Sequence, residues 1–124
     1  MTTHNIAITV HTHYLSERSD PSQNYYVFSY TIRIRNNELA DVQLLERHWK
    51  ITDANNKTRE VNGRGVVGVE PVIVPNKHFE YTSAAILDTP VGAMEGFYTM
   101  RSAIGEIFIA HIPAFSLADP ILVH

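Results

Sequence analysis

The alternation of apolar and polar side chains between Tyr25 and Arg35 constrains the fold of this chain more than any other feature. Every second residue is aromatic or a branched aliphatic: Tyr26, Phe28, Tyr30, Ile32 and Ile34. Ser29, Thr31, Arg33 and Arg35 alternate with them. Because successive side chains of a β-strand point to opposite faces, this pattern predicts a long strand with an aromatic face in the core and a solvated face opposite.

Shorter patterns of the same kind predict further strands at intervals of about ten residues. The predicted strands are Ile6–Tyr14, Val42–Asp53, Thr58–Asn62, Phe79–Leu87, Met94–Met100 and Glu106–Ile112, with Pro113 ending the last one. Leu15–Asn24 is predicted to be a loop, and Asn36–Glu38 a turn that joins its neighbours in a hairpin. In the predicted strand Val42–Asp53 we expect Leu45, Trp49 and Ile51 to share one face, with Leu44 opposite.

No window of helical length carries an apolar stripe free of proline, glycine or β-branched clusters, so we expect little helix. About seven half-apolar strands favour an all-β fold: a single-domain antiparallel two-sheet β-sandwich of the immunoglobulin or fibronectin type III-like kind, spanning residues 1–124. The length suits one domain with one core.

Composition narrows the classes of partner. A net charge of −3 gives no global attraction to nucleic acid or to an anionic membrane, and no apolar run is long enough to span a bilayer. There is no cysteine, so disulfides and thiolate metal sites are excluded. We expect a cytoplasmic protein that binds neither nucleic acid nor membrane and carries no cofactor.

The segment Gly63–Gly68 reads as GxGxxG, the spacing of a dinucleotide-binding turn. That motif requires a helix directly after the glycines, whereas Pro71 and Pro75 with β-branched residues between them predict none. Two interpretations stay open. Gly63, Gly65 and Gly68 could form a turn that only glycine tolerates, or their amides, with Arg64 and Arg59, could accept a phosphate or a carboxylate.

Histidines and one arginine–tryptophan pair supply the remaining candidate sites. His11 and His13 project from one strand face and are candidate metal ligands, and His78 with Glu80 repeats the spacing. Two such residues do not make a metal site, so we expect exposed histidines and no bound divalent ion. Arg47 beside Trp49 has the composition of an interaction hot spot. The alternative is a core tryptophan with Arg47 stacked over aromatic rings.

Nothing in the sequence predicts catalysis. Sequence motifs of hydrolases, zinc proteases and phosphate loops are absent, and nothing orients Ser83, His78 and Asp88 as a triad. We therefore expect a binding module and not an enzyme.

Seven segments in order resemble the ApaG family over nearly the whole chain. They are Val10–Leu15, Tyr26–Ile32, Leu44–Asp53, Gly63–Gly68, Phe79–Ser83, Met94–Met100 and Ile112–Leu117. The resemblance implies a fibronectin type III-like β-sandwich, in agreement with the strand pattern. This chain departs from the family pattern at two positions. Arg64 lies where family members usually have an acidic residue, and Asn76 lies where glycine is expected.

What the resemblance implies about function is broad. Bacterial members, also called CorD, are linked genetically to cobalt and magnesium handling and to the neighbourhood of a diadenosine tetraphosphate hydrolase. Related domains in a eukaryotic F-box protein and in a protein that binds a DNA polymerase suggest an interaction module, and the glycine motif has been compared with pyrophosphate-binding loops. We expect a protein partner, with a phosphate-containing ligand at Gly63–Gly68 as the alternative.

Overall fold

Strands form almost all of the regular structure in the computed structural model, which describes residues 4–120. The strands are β1 Ile6–Tyr14, β2 Tyr26–Asn36, β3 Val42–Asp53, β4 Thr58–Arg64, β5 Val72–Ile73, β6 His78–Leu87, β7 Val91–Ser102 and β8 Ile107–Ala118. Two short 3₁₀ turns, Ser16–Arg18 and Pro21–Gln23, lie in the predicted loop. The all-β prediction is confirmed, and the two-residue β5 adds an eighth strand to the seven expected.

The strands form two antiparallel sheets that pack face to face. One sheet has the order β1-β2-β6, and the other has the order β4-β3-β7-β8 with β5 paired to β3. On one side of the sandwich β1 packs against β8. On the other side β6 and β4 are both edge strands, and within residues 4–120 no fourth strand lies opposite β4. A two-sheet sandwich of the immunoglobulin and fibronectin type III-like kind is thereby confirmed.

The predicted hairpin at Asn36–Glu38 is wrong, because β2 and β3 belong to different sheets. Asn36 is fully buried, and its side-chain amide donates to the carbonyls of Ala40 and Ile73 at 2.9 and 2.8 Å. Its side-chain oxygen accepts from the amide of Glu38 at 2.8 Å. These bonds hold the chain as it crosses between the sheets, since a buried polar side chain is stable only when its hydrogen-bonding groups are paired.

A β-bulge at Leu45 reverses the predicted facing of the first part of β3. The register between β3 and β7 shifts between Leu44 and Glu46, so Leu44 is fully buried. The prediction that Leu45 faces the core and Leu44 lies opposite is therefore wrong. One inserted residue exchanges the two faces of a strand, because side chains alternate with a period of two.

A second bulge explains why Pro113 does not end β8. Met94 pairs with Phe115, whereas Gly96 pairs with Ile112, so β8 carries one extra residue where Pro113 lies. Proline lacks an amide hydrogen and is tolerated at bulges, where a ladder hydrogen bond is already missing. The strand therefore continues to Ala118, and the predicted end at Ile112 is wrong.

The core is centred on Trp49. Its ring makes edge contacts with Tyr30, Phe115 and Tyr98 at centroid distances of 5.5, 5.9 and 6.4 Å. Tyr26, Phe28 and Tyr30 are buried, which confirms the aromatic row predicted for β2. Each large side chain buried in this way contributes about 1.5–3 kcal/mol.

Candidate functional site

The three glycines belong to a tight β-turn structure that we call the glycine hairpin, residues Gly63–Val69. Val66 and Val69 exchange backbone hydrogen bonds of 2.8 and 2.9 Å, which close a two-residue turn. Its central residues, Val67 and Gly68, have φ angles of +43° and +82°. Positive values at both positions are those of a type I′ turn, which favours Asn-Gly and disfavours a β-branched residue at the first position.

No helix follows the glycine hairpin. The next regular element is β5, which pairs with β3, as the two prolines predicted. The arrangement that binds a pyrophosphate at a helix N-terminus is thus missing from this segment.

Several of the groups proposed to accept an anion already have partners. The amide of Gly65 donates to the carbonyl of Leu45 at 2.7 Å, and those of Val66 and Val69 donate to each other's carbonyls. Nη2 of Arg64 lies 3.2 Å from both carboxylate oxygens of Glu70. The positive charge of Arg64 is therefore balanced within the segment.

Arg47 fastens the glycine hairpin to β3. Its Nη1 donates to the carbonyls of Arg64 and Gly65, both at 3.0 Å. The guanidinium group lies over Gly63, the residue paired with Arg47 across the β3–β4 ladder. Hydrogen bonds to these two carbonyls place the guanidinium over the hairpin backbone, and stacking over aromatic rings stays a prediction.

Trp49 combines a core position with an unpaired polar atom. The residue is 4% exposed, which agrees with a central core tryptophan. Its indole Nε1 is nevertheless buried and has no hydrogen-bond partner within residues 4–120. Leaving a buried donor unpaired costs about 1–3 kcal/mol, so this group requires an explanation beyond packing.

His11 and His13 both lie on the exposed face of β1, as predicted. In the described part of the chain no three His, Asp or Glu side chains are grouped so that they could hold a metal ion. His78 and Ser83 lie on opposite faces of β6, where they cannot share a catalytic site.

The sequence did not point to the valines around the glycine hairpin. Val67, Val69, Val72 and Val74 are 58%, 46%, 56% and 45% exposed within eight residues of chain. We call them the valine segment. Valine in a strand is ordinarily interpreted as a core residue, so the sequence alone does not indicate that these four side chains are exposed.

Fold and surfaces together define a small two-sheet β-sandwich whose candidate site is an apolar hairpin anchored by an arginine. A family model described as the ApaG domain matches residues 16–102. The chain belongs to the ApaG family.

Named relatives and solved structures agree with this assignment. The chain is 45% identical to Protein ApaG of Yersinia pestis, covering 96% of this chain and 95% of the relative. It is 51% identical to Protein ApaG of Thiobacillus denitrificans, covering 96% and 94%. A crystal structure from Bordetella pertussis, described as an ApaA protein, superposes with a TM-score of 0.92 at 44% identity, covering 94% and 95%. An X-ray structure of a structural genomics target superposes with a TM-score of 0.91 at 50% identity, covering 96% and 90%.

Proposed function

We propose that this chain is a non-enzymatic binding module that contacts another protein through the glycine hairpin and the valine segment. The observation that carries the proposal is Val67, which is exposed and held at a φ of +43°. A valine in that conformation is strained by about 1–3 kcal/mol. Because an exposed valine forms no compensating core contacts, its stabilising contacts are expected from a partner.

The surrounding structure suits such a role. Exposed apolar side chains at 67, 69, 72 and 74 supply the area that protein interfaces bury at their centre. Arg47 holds the hairpin through two backbone carbonyls, so little conformational entropy is lost when a partner docks.

The experiment is partner capture on the immobilised protein, with identification by mass spectrometry and affinity measurement on the purified partner. We expect Val67→Asp and Val69→Asp each to weaken binding at least about tenfold, because a carboxylate would be desolvated in the interface. Tyr25→Asp and Ile86→Asp are the controls, since both residues are exposed and lie at the Tyr26 end of β2, whereas β5 bonds to Asn36 at the other end. Equal binding by all four variants would contradict the proposal.

A phosphate-containing ligand at Gly63, Arg64, Gly65 and Gly68 stays the alternative. The internal hydrogen bonds of the hairpin and the carboxylate of Glu70 argue against it. A phosphate binder should shift the amide resonances of residues 63–68 during titration with inorganic pyrophosphate, and should lose that response in Arg64→Glu. Unmoved resonances at millimolar ligand would exclude this alternative.

The family association with cobalt and magnesium handling stays a prediction for this chain, and so does a cytoplasmic location. No helix within residues 4–120 has the length and apolar character needed to cross a bilayer. For metals, we expect calorimetry with cobalt to give no heat above buffer controls. Heat that disappears in His11→Ala with His13→Ala would overturn that expectation.

A further inference from the structure

A cleft of about 260 Å³ opens between the edge strands β4 and β6, and we call it the β4–β6 cleft. It exists because the sheet of three strands leaves the inner face of β4 without a strand opposite. Val61 and Arg59 on that inner face are exposed as a result. Ser83 and Ala85 on the facing side of β6 are small, so Trp49 and Tyr30 form the floor.

The unpaired indole N–H of Trp49 faces this cleft. The Cε3 edge of the ring lies against β7, 3.1 Å from the position that a Cβ on Gly96 would occupy. The N–H belongs to the opposite edge of the indole and is directed toward β4, because β4 and β7 flank β3 on its two sides. The aromatic neighbours of Trp49 come from β2, β7 and β8, so none of these rings lies between the indole and β4. The nitrogen itself is buried, so a ligand atom reaches it only when the side chains that line the cleft move apart.

Two arginines add positive charge to the same cleft. Arg47 and Arg59 both line it, and in residues 4–120 neither forms an ion pair with a carboxylate. Both donate hydrogen bonds to backbone carbonyls, with Nη2 of Arg59 donating to the carbonyl of Ile86 at 2.7 Å. Two guanidinium groups and an indole N–H form a set of donors that matches a carboxylate.

The free edge of β6 supplies a second kind of recognition. The bond from Arg59 shows that the carbonyl of Ile86 points away from β2 and toward the cleft. In an antiparallel ladder the backbone groups of every second residue point the same way, so Thr82 and Ala84 also direct an N–H and a carbonyl to this edge. An unpaired strand edge is the surface to which extended peptides add.

We propose that the β4–β6 cleft binds an extended acidic peptide that adds to β6 as a fourth strand and places a carboxylate against Arg47, Arg59 and the indole N–H of Trp49. The added strand would cover the inner face of β4 and complete a sandwich of four strands on four. The site is separate from the valine segment, so its failure and the failure of the proposed partner contact are distinguishable.

Trp49 is the single tryptophan and lines the cleft, so all tryptophan fluorescence comes from a residue at the proposed site. The probe is the capped peptide acetyl-Thr-Val-Glu-Val-Thr-amide, titrated into the whole protein. We expect a saturable change in Trp49 emission, and about tenfold weaker binding when the peptide Glu is replaced by Gln. Inorganic phosphate and acetate, titrated separately, should not reproduce the response at the same concentrations. An unchanged emission at millimolar peptide would overturn the proposal, as would an equal response to the Gln peptide or to either anion.

Two further comparisons test the mode of binding. Arg59→Gln should weaken binding of the Glu peptide about tenfold. Arg101 is an exposed arginine on the outer face of β7, so Arg101→Gln should leave binding of this peptide unchanged. A peptide that adds to a strand edge forms hydrogen bonds through the amides of alternate residues. One peptide is therefore N-methylated at both Val residues and a second at Glu. Only one of these two peptides should lose binding. Binding by both N-methylated peptides, or equal effects of the two arginine substitutions, would contradict strand addition with carboxylate recognition.

Discussion

The guanidinium group of Arg47 occupies the space that a side chain on Gly63 would need. A Cβ built on Gly63 would come within 2.7 Å of Cζ of Arg47, closer than real Cβ contacts permit. The absence of a side chain at residue 63 is therefore what allows Arg47 to reach the carbonyls of Arg64 and Gly65.

Gly63→Ala should lower the free energy of unfolding by about 1–3 kcal/mol, because the added methyl group displaces the guanidinium. In an Arg47→Met background the same substitution should cost less, since the flexible thioether can move aside. Urea denaturation of the four proteins of this cycle gives the coupling. Additive effects would show that the two residues do not share this space.

Val67→Asn should raise the free energy of unfolding by about 1 kcal/mol, because asparagine tolerates the left-handed conformation that strains valine. Val69→Asn is the matched control: Val69 is also exposed, but it is not among the residues with positive φ. We expect no gain from it in the same urea titrations. A gain of equal size at both positions would point to a general effect of polarity instead of turn strain.

His4 predicts a pH-dependent contribution to stability. Nδ1 of His4 lies 2.6 Å from a carboxylate oxygen of Glu38, Nε2 lies 2.5 Å from one of Glu106, and the ring stacks on Phe108. The hydrogen bond with Glu106, followed by that with Glu38, raises the pKa of His4 above 6.5 despite the opposing effect of burial. The contribution is fully present below pH 6.5, and it is lost as the pH rises through the raised pKa.

The carboxyl of Glu38 sets the lower limit of the pH range in which its interaction with His4 stabilises the fold. The amide of Asn5 and the ring of His4 lower its pKa below 4.5, so its contribution is present above pH 4.5 and is lost as the pH falls through the lowered pKa. His4→Gln should therefore destabilise most between about pH 4.5 and 6.5. His13→Gln, at an exposed position of β1, is the control. If the free energies of unfolding of the native protein and of His4→Gln differ by the same amount at every pH between 5 and 9, the predicted contribution of His4 is refuted.

The buried hydroxyl pair of Tyr81 and Tyr98 predicts instability at high pH. The two oxygens are 2.5 Å apart, and burial is the main cause that raises the pKa of both phenols above 10. Their contribution is full below pH 10 and is lost as the pH rises through the raised pKa values. In a spectrophotometric titration Tyr81 and Tyr98 should ionise only when the protein unfolds.

Removing one hydroxyl of this pair tests the bond itself. Tyr98→Phe leaves the hydroxyl of Tyr81 without its buried partner and should cost about 1–3 kcal/mol. The double change with Tyr81→Phe should cost less than the sum of the single changes, because no orphaned hydroxyl remains. Strict additivity in urea denaturation would contradict a shared hydrogen bond.

Strand positions were predictable because each strand buries one face, which imposes a period of two on neighbouring residues. Tyr26, Phe28 and Tyr30 lie in the core for that reason. The bulge at Leu45 was not predictable, since the extra residue changes the pairing without a local sequence signal. Pro113 signalled an interruption, but a strand end and a bulge both accommodate proline, so the sequence did not distinguish them. The crossing after β2 depends on hydrogen bonds from Asn36 to Ile73, far along the chain.

The candidate sites also include one feature that neighbouring residues predict and others that depend on the tertiary structure. Failure of the dinucleotide motif at Gly63–Gly68 followed from local chemistry, because prolines forbid a helix there. The anchoring of the glycine hairpin by Arg47 joins residues that are distant in sequence, as does the cleft lined by Trp49 and Arg59. Neither has a periodic signature in the sequence.

By itself, then, the amino-acid sequence determined an all-β chain with an aromatic core and a glycine segment that no helix follows, because these properties depend on neighbouring residues. Only the tertiary structure decided that three strands face four, that Arg47 lies over Gly63, and that the indole N–H of Trp49 is buried without a partner within residues 4–120. These relationships come from strand pairing within a sheet and from the packing of one sheet on the other, and both join residues that the sequence keeps apart.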